Sequence, residues 1–204
     1  MPLIKRSFYI PCKSSECIKI AEIIREKAPA VGSMDLEIRD NGIYITMYGY
    51  KTDIKNAWEY IRRMIIAYKQ SIIEYKGYRR ISIDYLVSKI KHTFPPKLLV
   101  EIIKHMGHSI DIDDHIIVTN APLEIIEDTA KRIVELMDTI KYDVRGKTTK
   151  YYVITLSILT NKDPSEIYEK GLMLNHLIKD EDDKYRIRVE WRKAILDFLN
   201  TYKD

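Results

Sequence analysis

Hydrophobic and polar positions along this chain follow two periods, and the switches between them mark its elements. Residues 7–11 read as a short strand ended by Pro11. Ser14 or Ser15 then caps a helix whose apolar positions Ile20, Ile23 and Ile24 recur at helical spacing, and Pro29 stops it. Met34, Leu36 and Ile38 alternate with Asp35, Glu37 and Arg39, the pattern of a half-buried strand. Asp40-Asn41-Gly42 is a hairpin turn. On the returning strand Ile43, Ile45 and Met47 alternate with Tyr44, Thr46 and Tyr48. Asp53 caps a long helix with the stripe Ile54, Ala57, Trp58, Ile61, Ile65 and Tyr68. Ile72–Tyr75 or Arg79–Ile83 supplies a further strand. The order β-α-β-β-α, with or without that last strand, is the split βαβ, ferredoxin-like order.

A related pattern follows. Asp84 caps a short helix to about Lys91, and His92-Thr93-Phe94-Pro95 breaks it. Pro96 opens the next helix, with Leu98, Leu99, Ile102 and Ile103 inward and Gly107 past its end. Two strands, Ser109–Ile112 and Ile116–Thr119, flank the turn Asp113-Asp114-His115, and a helix runs from Pro122 to about Ile140. Glu22-Ile23-Ile24 matches Glu101-Ile102-Ile103, and Asp40–Thr46 matches Asp113–Thr119. So α-β-β-α occurs twice. Arg145-Gly146-Lys147 reads as a linker. Beyond it come a helix bearing Tyr151, Ile154, Thr155, Ile158 and Leu159, and a second opened by the start signal Asp163-Pro164-Ser165-Glu166. Leu177 and Ile178 precede the acidic turn Asp180–Asp183, which leads to a strand at Tyr185, Ile187 and Val189. The closing helix has the stripe Trp191, Ala194, Ile195, Phe198, Leu199 and Tyr202.

The expectation is an α+β protein of two α-β-β-α repeats, ferredoxin-like and KH-like in order, with a C-terminal helical tail that contains a short hairpin. The divisions are a basic module at 1–80, a second module at 81–142 and the tail element at 147–204.

Composition agrees with a folded chain: 46% of its 204 residues are hydrophobic and 31% charged. No apolar run approaches the ~18 residues of a membrane-spanning helix, so no membrane contact is expected. The start of the chain lacks a secretory leader pattern. Cys12 and Cys17, with four residues between them, are too few for a disulfide framework, which points to a reducing cytoplasm. The chain has 34 Ile but a single Gln, Gln70. Abundant charge and avoided amides are features of heat-adapted proteins. An AT-rich genome also enriches Ile, Lys and Tyr, and either cause suits a thermophilic archaeon.

The net charge of +4 is unevenly spread. Residues 1–92 hold 17 Lys and Arg against 10 Asp and Glu, whereas residues 93–141 hold 5 against 9. A polyanion would therefore meet the first half.

Few residues offer catalytic chemistry. Gly146-Lys147-Thr148 ends like a phosphate-binding loop, but position 141 is Lys where that loop needs Gly. Asp111, Asp113, Asp114 and His115, with His105 and His108 nearby, could hold a divalent cation, although Asp-Asp-His is also ordinary turn chemistry. No nucleophilic triad can be assembled. The expectation is no enzyme, no cofactor and no metal. The stronger signal is aromatic and basic. Tyr44, Tyr48 and Tyr50 share one strand face, where Tyr9 joins them if the first strand is adjacent. Exposed tyrosines stack on unpaired bases. Arg62, Arg63, Lys69, Lys76, Arg79 and Arg80 gather at and after the end of the long helix, where they could meet phosphates. Asp35 and Glu37 are expected on the tyrosine face and would oppose this.

Residues 84–140, and in particular Gly107–Pro122, resemble the latter half of a KH domain, a fold that binds single-stranded RNA. His92-Thr93-Phe94-Pro95 stands where that family has its Gly-x-x-Gly clamp, so no contact residue carries over. The tail could also be read as a winged helix with Lys184, Arg186 and Arg188 in the wing, but a packing or dimerisation element fits its acidic turn better. Over nearly its whole length the chain resembles an uncharacterised family of archaeal proteins of similar size. That resemblance lies in Ile116–Pro122, Thr148–Tyr152 and Asp163–Leu177, and it implies source rather than mechanism. The functional expectation is therefore a non-catalytic nucleic-acid-binding protein, with RNA favoured over DNA, acting through its basic half. The alternative is a protein–protein adaptor that docks through the acidic second repeat and tail. A metal-dependent enzyme at Asp111–His115 is a third reading. The oligomeric state is not legible.

Overall fold

The computed structural model describes residues 2–201, with residue 14 described by its backbone alone. Tyr202, expected to complete the last helical stripe, lies outside them. The chain divides into two compact units, residues 1–73 and 74–204.

The first unit runs β1 (Leu3–Pro11), α1 (Ser14–Lys27), β2 (Ser33–Arg39), β3 (Gly42–Tyr50) and α2 (Lys51–Ile72). Its antiparallel sheet has the order β1-β3-β2. β1 starts four residues before the expected strand, because it pairs with β3 along its whole length, from Leu3 opposite Tyr50 to Pro11 opposite Gly42. Lys13 rather than a serine takes the cap position of α1, and the Glu16 carboxylate accepts its N–H at 3.4 Å. Tyr50 takes the cap position of α2, which places Asp53 in the first turn instead. Acidic side chains are favourable at both helix starts. Ile10, Ile20, Ile24, Ile43, Ile45, Met47, Ile54, Ala57, Ile61 and Ile65 form the core between sheet and helices. Phe8 stacks on Trp58 at 4.2 Å against it.

Cys12 and Cys17, whose number argued against a framework, form one disulfide that ties the end of β1 to the first turns of α1.

The second unit holds the four-stranded antiparallel sheet β4-β5-β7-β6. Its strands are β4 (Glu74–Tyr75), β5 (Tyr78–Ser82), β6 (Ile110–Asp113) and β7 (Ile116–Thr119). The strand residues after α2 thus join the second sheet, and the first sheet keeps three strands. Between β5 and β6 lie α3 (Ile83–Ile90) and α4 (Pro96–His105), and α5 (Leu123–Thr139) follows β7. Ser82, not Asp84, caps α3 by accepting the Tyr85 N–H at 3.4 Å. The tail comprises α6 (Lys147–Thr160), α7 (Pro164–Met173), the hairpin β8 (Leu177–Lys179) and β9 (Tyr185–Ile187), and α8 (Trp191–Asn200).

α6 departs from the expected stripe. Tyr152, Val153, Ile154, Thr155, Leu156 and Ser157 are all buried, because α4, α5, α7 and α8 surround the helix. A stretch of helix covered on every side needs no polar face. The tail is therefore part of the second unit and not an appendage beyond a linker. At α7, Asp163 caps as expected, accepting bonds from the Ser165 N–H at 2.9 Å and hydroxyl at 2.8 Å.

The repeat extends further than its sequence signal. β5-β7-β6 reproduces β1-β3-β2, each with the last strand of the module in the middle. The residue match is shifted by one from the sequence alignment. Each hairpin loop has two residues, Asp40-Asn41 and Asp114-His115, so Ile43 corresponds to Ile117. Ile10, Ile43 and Ile38 form a row across one sheet, and Ile81, Ile117 and Ile112 form the same row across the other. A one-residue slip would turn every side chain to the wrong face, and burial of the core decides against it.

Candidate nucleic-acid interface

β3 is the middle strand of the first sheet, so its residues alternate between a covered and an uncovered face. Ile43, Ile45 and Met47 are fully buried on the helix side. The strand register builds the uncovered face in rows: Leu3 with Tyr50; Lys5, Tyr48 and Ser33; Ser7, Thr46 and Asp35; Tyr9, Tyr44 and Glu37; Pro11, Gly42 and Arg39. Tyr44, Tyr48 and Tyr50 thus share a face, and Tyr9 joins them. Tyr9, Tyr48 and Tyr50 are 43%, 37% and 48% exposed, enough to offer ring surface to a ligand.

The face is ordered by its own contacts. The Tyr9 hydroxyl donates to the Asn41 carbonyl at 2.7 Å, and the Tyr9 and Tyr44 rings lie 5.0 Å apart. The Arg39 guanidinium lies 4.4 Å from the centre of the Tyr44 ring and donates two 2.9 Å bonds to Glu37. The Lys5 ammonium lies 5.2 Å from the centre of the Tyr48 ring. Such cation–π contacts are worth about 0.5–1 kcal/mol at exposed sites. The bonds from Arg39 hold the Glu37 carboxyl below its usual range, and Glu37 in turn raises Arg39. The Tyr48 hydroxyl beside Lys5 raises the lysine. Asp35 and Glu37 are on the face as expected, so Lys5 and Arg39 are balanced by two acids. A hollow of about 470 Å³ opens beside Tyr48, between Leu3, Ile4 and Lys5 and the backbone of Gly32 and Gly49.

Of the six expected phosphate contacts, the three in the first unit, Arg62, Arg63 and Lys69, stand on α2, the helix that covers the other side of this sheet. Arg62 and Arg63 are exposed on α2, whose buried residues Ile61, Met64 and Ile65 point into the core, so both lie beyond the helical layer. Lys69 donates to the Pro11 carbonyl at 3.0 Å and pairs with Glu16 at 3.2 Å. Lys76, Arg79 and Arg80 belong to the second unit. There Lys76 lies 5.4 Å from the Tyr75 ring centre, Arg79 pairs with Glu74 at 3.1 Å and Arg80 with Asp113 at 3.5 Å. The cations that do accompany the tyrosines, Lys5 and Arg39, were missed. Arg39 was legible by continuing the alternation of β2, whereas Lys5 lay outside the expected strand.

In the second unit, β5-α3-α4-β6-β7-α5 completes the module seen in part from sequence. Residues 91–95 join α3 to α4, with Lys91 in the left-handed region (φ 64°), His92 and Thr93 exposed, and Phe94 buried. Asp111 and Asp113 point outward from β6, and the Asp111 carboxylate accepts the Ile112 N–H at 2.8 Å. Among the described residues no three His, Cys, Asp or Glu side chains group as a metal ion would need, and no helix is long and apolar enough to cross a membrane.

No curated protein and no solved structure matches this chain. One family model matches residues 12–196, and the chain accordingly belongs to the family described as an uncharacterised protein conserved in archaea (DUF2067).

Proposed function

We propose that this archaeal protein binds single-stranded nucleic acid, RNA in preference to DNA, without catalysing a reaction on it. The observation that carries this reading is the uncovered face of the first sheet, where four tyrosines stand with Lys5 and Arg39 among them. Stacking of a base on an aromatic ring contributes roughly 1–3 kcal/mol and tolerates any base. Four rings therefore supply useful affinity even where charges balance. The preference for RNA is supported by the second module, whose β-α-α-β-β-α order extends the KH resemblance, although its 91–95 loop lacks the glycine clamp. Composition supports a heat-adapted, cytoplasmic setting. A disulfide is compatible with it, since intracellular proteins of hyperthermophilic archaea are rich in them.

The test is fluorescence anisotropy of labelled single-stranded RNA titrated with the full chain. Binding is expected with a Kd of about 1–100 μM, weakened at least tenfold by Tyr44→Ala with Tyr48→Ala, with single-stranded DNA weaker. A flat titration for the unmodified protein, or equal binding by the double variant, would overturn it.

A protein–protein adaptor is the second reading, favoured by Met173 and Leu196 of the tail, 81% and 54% exposed. It predicts a partner that stays bound after nuclease treatment and is lost on Met173→Glu with Leu196→Glu.

A further inference from the structure

The second unit contains a cavity of about 480 Å³, within the roughly 300–1,000 Å³ range of small-molecule sites. Pro95 before α4, Met137 on α5 and Ile154 on α6 give it apolar walls, and Tyr151 adds an aromatic one. Among the described residues that line it, Lys147 and Lys150 carry the only charges, and Gly146 contributes no side chain. Among the described residues neither lysine has an ion-pair partner; the Lys147 ammonium lies 5.4 Å from the Tyr151 ring centre.

Lys147, Lys150, Tyr151 and Ile154 occupy one stripe of α6, at the spacing of helical neighbours. The charges therefore converge at one end, and the fully buried Ile154 lies toward the other. Tyr151 is braced edge-on by Trp191, with ring centres 5.6 Å apart. Two ammonium groups without a counter-ion repel each other and gain most from a group that carries two negative charges. The apolar end gains from burying a planar ring. A phosphate monoester satisfies the first requirement and a nucleobase the second.

We propose that this cavity binds a nucleoside 5′-monophosphate, with the phosphate held by Lys147 and Lys150 and the base in the pocket of Pro95, Met137 and Tyr151. The site is lined by residues of the second unit, and it does not depend on the reading of the tyrosine face.

Isothermal titration of the full chain with AMP, UMP, adenosine and inorganic phosphate tests it. AMP or UMP is expected to bind with a Kd below about 1 mM, and adenosine and phosphate at least tenfold more weakly. Lys147→Glu with Lys150→Glu should abolish nucleotide binding while leaving the melting temperature nearly unchanged. Met137→Trp, which keeps both lysines but fills the pocket, should weaken nucleotide and spare phosphate. The proposal is overturned if neither nucleotide gives heat at millimolar concentration. It is equally overturned if phosphate alone binds as well as AMP, or if both variants bind AMP as the unmodified protein does.

Discussion

The Tyr152 hydroxyl lies 3.0 Å from Nδ1 of His176, and both side chains are buried in the second unit. Nε2 of the same ring lies 2.8 Å from the Asp197 carboxylate, which can only accept. Nε2–H therefore donates to Asp197, and in the neutral ring Nδ1 accepts from Tyr152. This chain of bonds ties α6 to α8 through the turn before β8. His176→Leu leaves the hydroxyl of a fully buried tyrosine without a partner, and should destabilise the protein by about 1–3 kcal/mol. Tyr152→Phe should cost less than the histidine change. Urea denaturation checks both, and a His176→Leu midpoint equal to that of the unmodified protein would count against the network.

Burial raises the tyrosine hydroxyls of Tyr152 and Tyr168, with the Asp197 and Asp143 charges adding to it. A folded value above the unfolded one gives stability that is complete below the ordinary tyrosine value of about 10. That stability is lost as pH rises from there toward the folded values. Melting temperature should therefore fall above about pH 10. Tyr168→Phe should flatten the fall, and thermal scans between about pH 8 and 11 measure it.

On the tyrosine face, Arg39 holds both Tyr44 and Glu37. Arg39→Ala removes the cation and frees an acid among the rings. It should weaken RNA binding more than Arg62→Ala with Arg63→Ala, which alters only the far side of α2. Parallel anisotropy titrations decide this, and the reverse order would return the interface to the helical layer.

The disulfide closes a short loop, and chain-entropy arithmetic for about six residues gives ~2 kcal/mol. Cys12→Ala with Cys17→Ala should lower stability by about that amount, as should reductant applied to the unmodified protein. Unfolded protein that takes up a thiol reagent at both positions without reductant would show that the bond is absent.

Gly42 faces a different constraint. A Cβ there would come within 2.4 Å of the Ile10 carbonyl oxygen and 2.6 Å of the Tyr9 ring. Gly42→Ala should therefore destabilise the first unit by about 1–3 kcal/mol and displace Tyr9. Denaturation together with the near-ultraviolet signal of the tyrosines reports both effects.

Alternation and turn chemistry are local, and they were enough to place β2, β3, the loop Asp40-Asn41, the Asp163 cap and the shared face of Tyr44, Tyr48 and Tyr50. Caps were less legible at α1, α2 and α3, since Lys13, Tyr50 and Ser82 hold positions that several nearby polar residues could have taken.

What tertiary structure decided is non-local. Only pairing with β3 could show that β1 begins at Leu3 and brings Lys5 to the face. Only the partner strand could assign β4 and β5 to the second sheet. The burial of α6 depends on four other helices, of which α4 and α8 lie far along the chain, and its own pattern is silent about them. The basic residues are the clearest case. Their nearness in sequence suggested one patch, but the helical period turned Arg62 and Arg63 away from the sheet. Lys69, Arg79 and Arg80 met carboxylates instead. Charge counted along a chain records how much is present, whereas the packing of elements determines which face it reaches.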